Sequence, residues 1–237
     1  MRGAAAEMVP PPPPFAGFAP AAFAFLRDLA REQTREWFQA NRDIHEAEVR
    51  EPMASLVAAV AEALARRRIP LRGDPQRAIF RIHRDVRFSR DKQPYKTHCG
   101  ATLTRDGGRL SPGLLYIHID PLGCFTAAGF WRPEPRALDA IRHAIADRPA
   151  AFRRMLAALA AKGLALSPDE EALKRPPRGY EAVEEPVLRE ALRCRSLTVR
   201  RALPEAAVVR ADLPEVIAEF AVDALPLLKF GWGAIDA

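Results

Sequence analysis

The stretch GLLYIHIDPLGCFTAAGFW, residues 113–131, decides the fold. Through LLYIHID the apolar Leu115, Ile117 and Ile119 alternate with Tyr116, His118 and Asp120. A period of two is that of an extended strand with one face in the core and the other turned away from it. Pro121, Leu122 and Gly123 then leave room for a turn but not for a crossover, and CFTAAGFW resumes as a second strand. Strands joined so closely run antiparallel.

Outward from this pair, KTHCGATLTR at 96–105 and SLTVR at 196–200 read as further strands. AIFRIHRDVRF at 78–88 also alternates, with Phe80, Ile82, Val86 and Phe88 on one face, interrupted by Arg84, and Arg81, His83, Asp85 and Arg87 on the other. It is expected to form a strand with a charged face. Helical spacing flanks these segments on both sides. Phe23, Leu26 and Ala30 mark one helix, and Thr34 caps a run carrying Trp37, Phe38, Ile44 and Val49. Another helix starts at Pro52 and ends at Arg66, Arg67 and Arg68. A helical stretch from Pro135 to Ala161 breaks near Pro149, and a closing helix covers Pro214–Leu228. The expected class is α+β, a central, mainly antiparallel sheet with N-terminal and C-terminal helices packed on it.

With 237 residues, 49% of them hydrophobic, the chain suits a single α+β domain over 15–237. Residues 1–14 are expected to form a disordered, proline-rich leader. Pro10 to Pro14 stand where a secretory peptide needs an apolar helix, and Met8 is a second candidate initiator. The apolar runs are too short or too interrupted to cross a bilayer, so no membrane partner is expected. Cys99, Cys124 and Cys194 are odd in number and lack C-x-x-C spacing, which fits inert thiols in a reducing cytoplasm.

The charge is localised. Arg66 to Arg109 contains thirteen basic and four acidic residues, a net of +9, whereas the rest of the chain is −3. Within that segment, RIHRDVRFSRDKQPYKTH at 81–98 supplies guanidinium forks, compact ammonium groups and a tyrosine hydroxyl, the side chains that hold phosphate or carboxylate. The candidate ligand-binding residues are Arg81, Arg84, Asp85, Arg87, Arg90, Asp91, Lys92, Tyr95 and Lys96, with the aspartates positioning the arginines. The expected partner is an anionic small molecule. A nucleic acid is the second reading, disfavoured because Phe88 and Tyr95 are the only local aromatics for stacking. A third reading is a hydrolase or transferase acting on a phosphorylated substrate, with Asp85 or Asp91 as base. The bland alternative is a solvated, salt-bridged face.

No cofactor is implied. His83, His98 and His118 fall on three expected strands, but without H-E-x-x-H or a nearby carboxylate no metal is assigned to them. Asn41 is expected to cap a helix or read a ligand, and Trp131 to pack beneath the turn at Pro133 and Pro135. Lys174, Arg178 and Tyr180 offer a basic rim or a stiff connector.

FRIHRDVRFSRDKQPYKTH, with REWFQANRD at 35–43, WRPEP at 131–135 and KRPPRGY at 174–180, closely resembles the signature of the uncharacterised family known as domain of unknown function 2461. The likeness covers most of the chain from Phe15 onward. A family named for lacking an assigned activity implies no reaction. Where its pattern has tyrosine this chain has His83, so the resemblance implies no indispensable proton transfer there.

Overall fold

The computed structural model describes residues 12–87, 91–109 and 111–237. A wholly antiparallel sheet runs in the order β1 (Cys99–Thr104), β2 (Leu114–Ile119), β3 (Cys124–Phe130) and β4 (Leu197–Leu203). Register fixes which side chains share a face: Ile117 pairs with Ala101 on β1 and Thr126 on β3, and Ala128 pairs with Val199 on β4. Leu103, Leu115, Ile117, Ile119, Phe130 and Val199 are all buried on that face, as the alternation in LLYIHID requires.

Helices cover this face. α9 (Leu213–Ile235) packs on β3, flanked by α4 (Glu51–Arg66), α5 (Pro135–Asp147) and α6 (Pro149–Ala160). The approach is close enough to need a glycine: a Cβ at Gly231 would lie 2.2 Å from the Phe130 ring. Arg201 turns toward the same layer, where its charge meets Asp223 of α9 at 3.0 Å. The fold is therefore α+β with N-terminal and C-terminal helices against an antiparallel sheet.

At the N-terminal end α1 (Pro20–Arg31) leads to α2 (Arg35–Ala40), whose N-terminus Thr34 caps by accepting the Trp37 N–H at 3.2 Å. α3 (Arg42–Ile44) passes into a π-helical turn, His45–Arg50, and then into α4. Asn41 acts as a cap, its amide donating to the Trp37 carbonyl at 2.9 Å. Phe15 and Phe18 are buried. Most of the leader expected at 1–14 lies outside the described residues. α7 (Pro186–Arg193) was not expected from sequence; it is short, and burial of Leu188, Ala191 and Leu192 holds it. α8 (Glu205–Val208) is a single turn before α9.

Residues 78–87 are not the regular strand that the alternation predicts, and Phe88 lies outside the described residues. The segment follows β1 as a strap, bridging at Arg72 with Thr104 and at Ile79 with Ala101. Seven steps of chain from Arg72 to Ile79 face three from Thr104 to Ala101. The excess is taken up by a turn at Asp74, whose side chain accepts the Gln76 N–H at 2.7 Å and whose carbonyl accepts that of Ala78 at 2.8 Å. Such a turn breaks the ladder. The strap then leaves β1 to pair with the returning chain, the N–H of Arg84 donating to Pro94 and that of Lys96 to Ile82, both at 2.8 Å. The phase is shifted too: Ala78 and Ile79 enter the core, while Phe80 is half-buried on the opposite face.

Trp131 also departs from expectation. It is 58% exposed rather than packed under the turn, and the Arg132 guanidinium lies 5.4 Å from its ring centre. Among the described residues no helix is long and apolar enough to cross a membrane.

Candidate functional site

The expected site residues divide among several environments. Arg87 grips Asp85 with two hydrogen bonds of 2.9 and 2.7 Å, and Arg84 pairs with Asp91 at 2.5 Å. These arginines hold both carboxyl groups below the usual carboxylate range. Lys92 is exposed and donates through Nζ to the Val86 carbonyl at 3.0 Å. Tyr95 is buried, stacked on Phe38 with centroids 4.6 Å apart, and its N–H donates to Gln33 Oε1 at 3.0 Å. Arg90 lies outside the described residues, as do Phe88 and Ser89.

Arg81 goes elsewhere, to the wall of a cavity of about 500 Å³ between the helical segment 38–50 and the strap. Arg42, Arg50 and Arg109 share that wall, with Glu46 as its one carboxylate among the described lining residues. Arg50 is committed to Glu46 at 2.5 Å and Gln76 at 3.0 Å. Arg109 donates twice to the Arg77 carbonyl, at 2.9 and 2.7 Å, and its guanidinium lies over Phe80. Among the described residues the guanidinium groups of Arg42 and Arg81 have no hydrogen-bond or ion-pair partner.

The π-helical turn shapes this wall, since His45, Glu46, Val49 and Arg50 all line it. A π-turn inserts an extra residue and re-aims the side chains after it, a device common at functional sites. His45 is packed against Phe25 and Phe38, and burial above all pushes its imidazole down to about 4, Glu46 opposing the shift and Arg50 and His83 reinforcing it. It is neutral at pH 7. Lys96 sits with its ammonium 5.2 Å from the centre of the Phe80 ring. Burial, then repulsion from Arg109, lowers its pKa, and Arg81 adds to that repulsion.

A second group of side chains gathers on the sheet face that carries no helix. His98, His118 and Asp120 bring their ligating atoms within 4.8 Å of one another. The partner that completes the two histidines is Asp120, the alternate residue after His118, while His83 packs against Tyr95 and Phe38 instead. Among the cysteines, burial pushes the Cys99 thiol up to about 12, which makes it unreactive at neutral pH.

Neither the cavity nor the histidine group is a signature of one known reaction. The chain belongs to the conserved hypothetical protein family DUF2461, whose family model matches residues 21–230. No curated protein and no solved structure matches it.

The sequence reading missed Arg42, Arg50 and Arg109, which lie far from Arg81 in the chain. A signal was present for one of them: in REWFQANRD the second-to-last residue, Arg42, stands just past a capped helix, where the next turn must aim it somewhere.

Proposed function

We propose that the protein binds an anionic small molecule, carrying phosphate or carboxylate, in the cavity lined by Arg42, Arg50, Arg81 and Arg109. One observation carries the reading: the exposed Arg42 and Arg81, whose guanidinium groups have no hydrogen-bond or ion-pair partner among the described residues, line the same open cavity, where four arginines outnumber one glutamate among the described lining residues. Cations gathered around one cavity repel each other, and an anion bridging them offsets that repulsion while accepting forked hydrogen bonds. Lys96 adds charge beside Arg81 and Arg109. On this reading Arg84, Asp85, Arg87 and Asp91 shape the hairpin rather than touch the ligand. Tyr95 anchors the strap through Phe38. The reading concerns binding and assigns no reaction.

Calorimetric titration at low salt with inorganic phosphate and with citrate tests it. The variants Arg42→Ala and Arg81→Ala are each expected to weaken the tighter of the two at least tenfold, and Arg84→Ala to leave it unchanged. Equal affinity in all four proteins, or no binding of either anion, overturns the reading.

A further inference from the structure

We propose that His98, His118 and Asp120 bind one first-row divalent metal ion on the open face of the sheet, with Zn2+ as the probe suited to the donors. The inference is independent of the anion-binding reading.

The register of β1 and β2 builds the site. Cys99 pairs with Ile119 and Gly100 with His118, so one further step along the ladder sets His98 opposite Asp120. Asp120 follows β2 directly, two residues after His118, at the spacing that puts side chains of extended chain on one face. The three donors thus come from two adjacent chain segments, His118 within β2 and His98 and Asp120 immediately beside the ends of β1 and β2.

The spacing fits a shared ion better than a direct contact. His118 Nε2 and Asp120 Oδ2 are 3.4 Å apart. An N–H···O hydrogen bond is normally about 2.7–3.2 Å. Two donors about 2.0–2.1 Å from a tetrahedral metal lie about 3.4 Å from each other. His98 needs a side-chain rotation of modest size to close from within 4.8 Å.

Each ligand is also oriented by its other atom. His118 Nδ1 is 2.8 Å from the Tyr116 hydroxyl, which fixes the ring and leaves Nε2 for the ion. Asp120 Oδ1 accepts the Leu122 N–H at 2.8 Å, which leaves Oδ2. Hydrogen bonds of this kind outside the ligand set fix tautomer and direction at metal sites. Phe125 pairs with His118 across β3 and stacks on its ring, centroids 4.5 Å apart. On the other side Gly100 leaves the space Tyr116 needs: a Cβ there would stand 2.7 Å from the hydroxyl oxygen.

Lys96 and Arg84 lie close enough to His98 to disfavour positive charge. They set the affinity below that of a closed four-ligand site. Two imidazoles and one carboxylate suit zinc or iron rather than calcium or magnesium, and they leave coordination positions open. His98 also lines the arginine cavity, so an ion held here sits at its margin.

The test is metal titration of the tag-free full chain by calorimetry, with the visible spectrum of Co2+ as a second readout. Wild type is expected to bind one equivalent of Zn2+ and to give the d–d bands of nitrogen-ligated Co2+. His98→Ala and Asp120→Asn are each expected to lower Zn2+ affinity 100-fold or more, and Tyr116→Phe about tenfold. His143→Ala, on exposed α5 surface, serves as the unchanged control. His98 precedes β1 and Asp120→Asn preserves shape, so both variants are expected to keep the wild-type circular dichroism. The proposal is overturned by the absence of stoichiometric Zn2+ binding, or by stoichiometric binding that survives both substitutions.

Discussion

The two faces of the sheet solve opposite problems. On the face under α9, Leu115, Ile117, Phe130 and Phe220 are buried, and Arg201, which points to this side, is met by Asp223. On the other face Tyr116, His118 and Phe125 are half-buried, and the strap from Arg72 to Lys96 covers part of them with charged side chains. The first face is held by apolar area removed from water, so its stability is spread over many side chains. The second depends on a few hydrogen bonds and one aromatic plug, so its shape is specified locally. A chain rich in arginine can therefore spend most of its charge on itself, Arg84 on Asp91 and Arg87 on Asp85, and still leave Arg42 and Arg81 turned into a cavity.

Substitutions on the two faces separate these regimes. Phe220→Ala under the sheet is expected to cost about 3–5 kcal/mol in a denaturant melt. Tyr95→Ala in the strap is expected to cost roughly 2–3 kcal/mol, because chain outside the regular sheet collapses more readily into the gap. Equal losses at the two sites would erase the contrast.

A pH titration of stability sharpens it further. His45 has a pKa near 6.5 when unfolded and about 4 when folded. Between those values the unfolded chain binds more protons, so stability is fully present above pH 6.5 and falls as pH drops toward 4. Its share is on the order of 1 kcal/mol after allowance for partial exposure. His45→Gln is expected to flatten the wild-type slope over that window. An unchanged slope would mean that the imidazole is solvated.

The smallest effect is expected at the hairpin. Asp85→Ala and Arg87→Ala remove a fully exposed pair, and neither is expected to shift the denaturation midpoint measurably. A clear loss in either variant would move this pair from shaping the hairpin to supporting the fold.

The alternation in LLYIHID was enough to assign β2 and its buried face, and Thr34 was legible as a cap, because both signals depend on neighbours within a few residues. The strap was misread for the same reason. Alternating exposure from Arg81 to Arg87 is real, but the turn at Asp74 and the switch from β1 to the 94–96 segment depend on partners elsewhere in the chain. Site residues were harder still. Arg81 was picked out of a dense local cluster, whereas Arg42 and Arg109 join it through tertiary packing that no window of sequence displays. Asp120 was visible beside His118 two positions earlier, yet its relation to His98 follows from register alone.

The strap has one further consequence, for behaviour between molecules. β1 is an edge strand, and its outer amides and carbonyls are a template on which a stranger's strand could grow. Arg72 and Thr104 exchange hydrogen bonds of 2.7 and 2.9 Å, and Phe80 donates to Gly100 at 2.9 Å. At the opposite edge the N–H of Ser167 occupies the Thr198 carbonyl at 2.7 Å. Irregular chain thus occupies much of the rim at β1 and one position of the rim at β4, so the imperfect ladder beside β1 hinders a second molecule from pairing there.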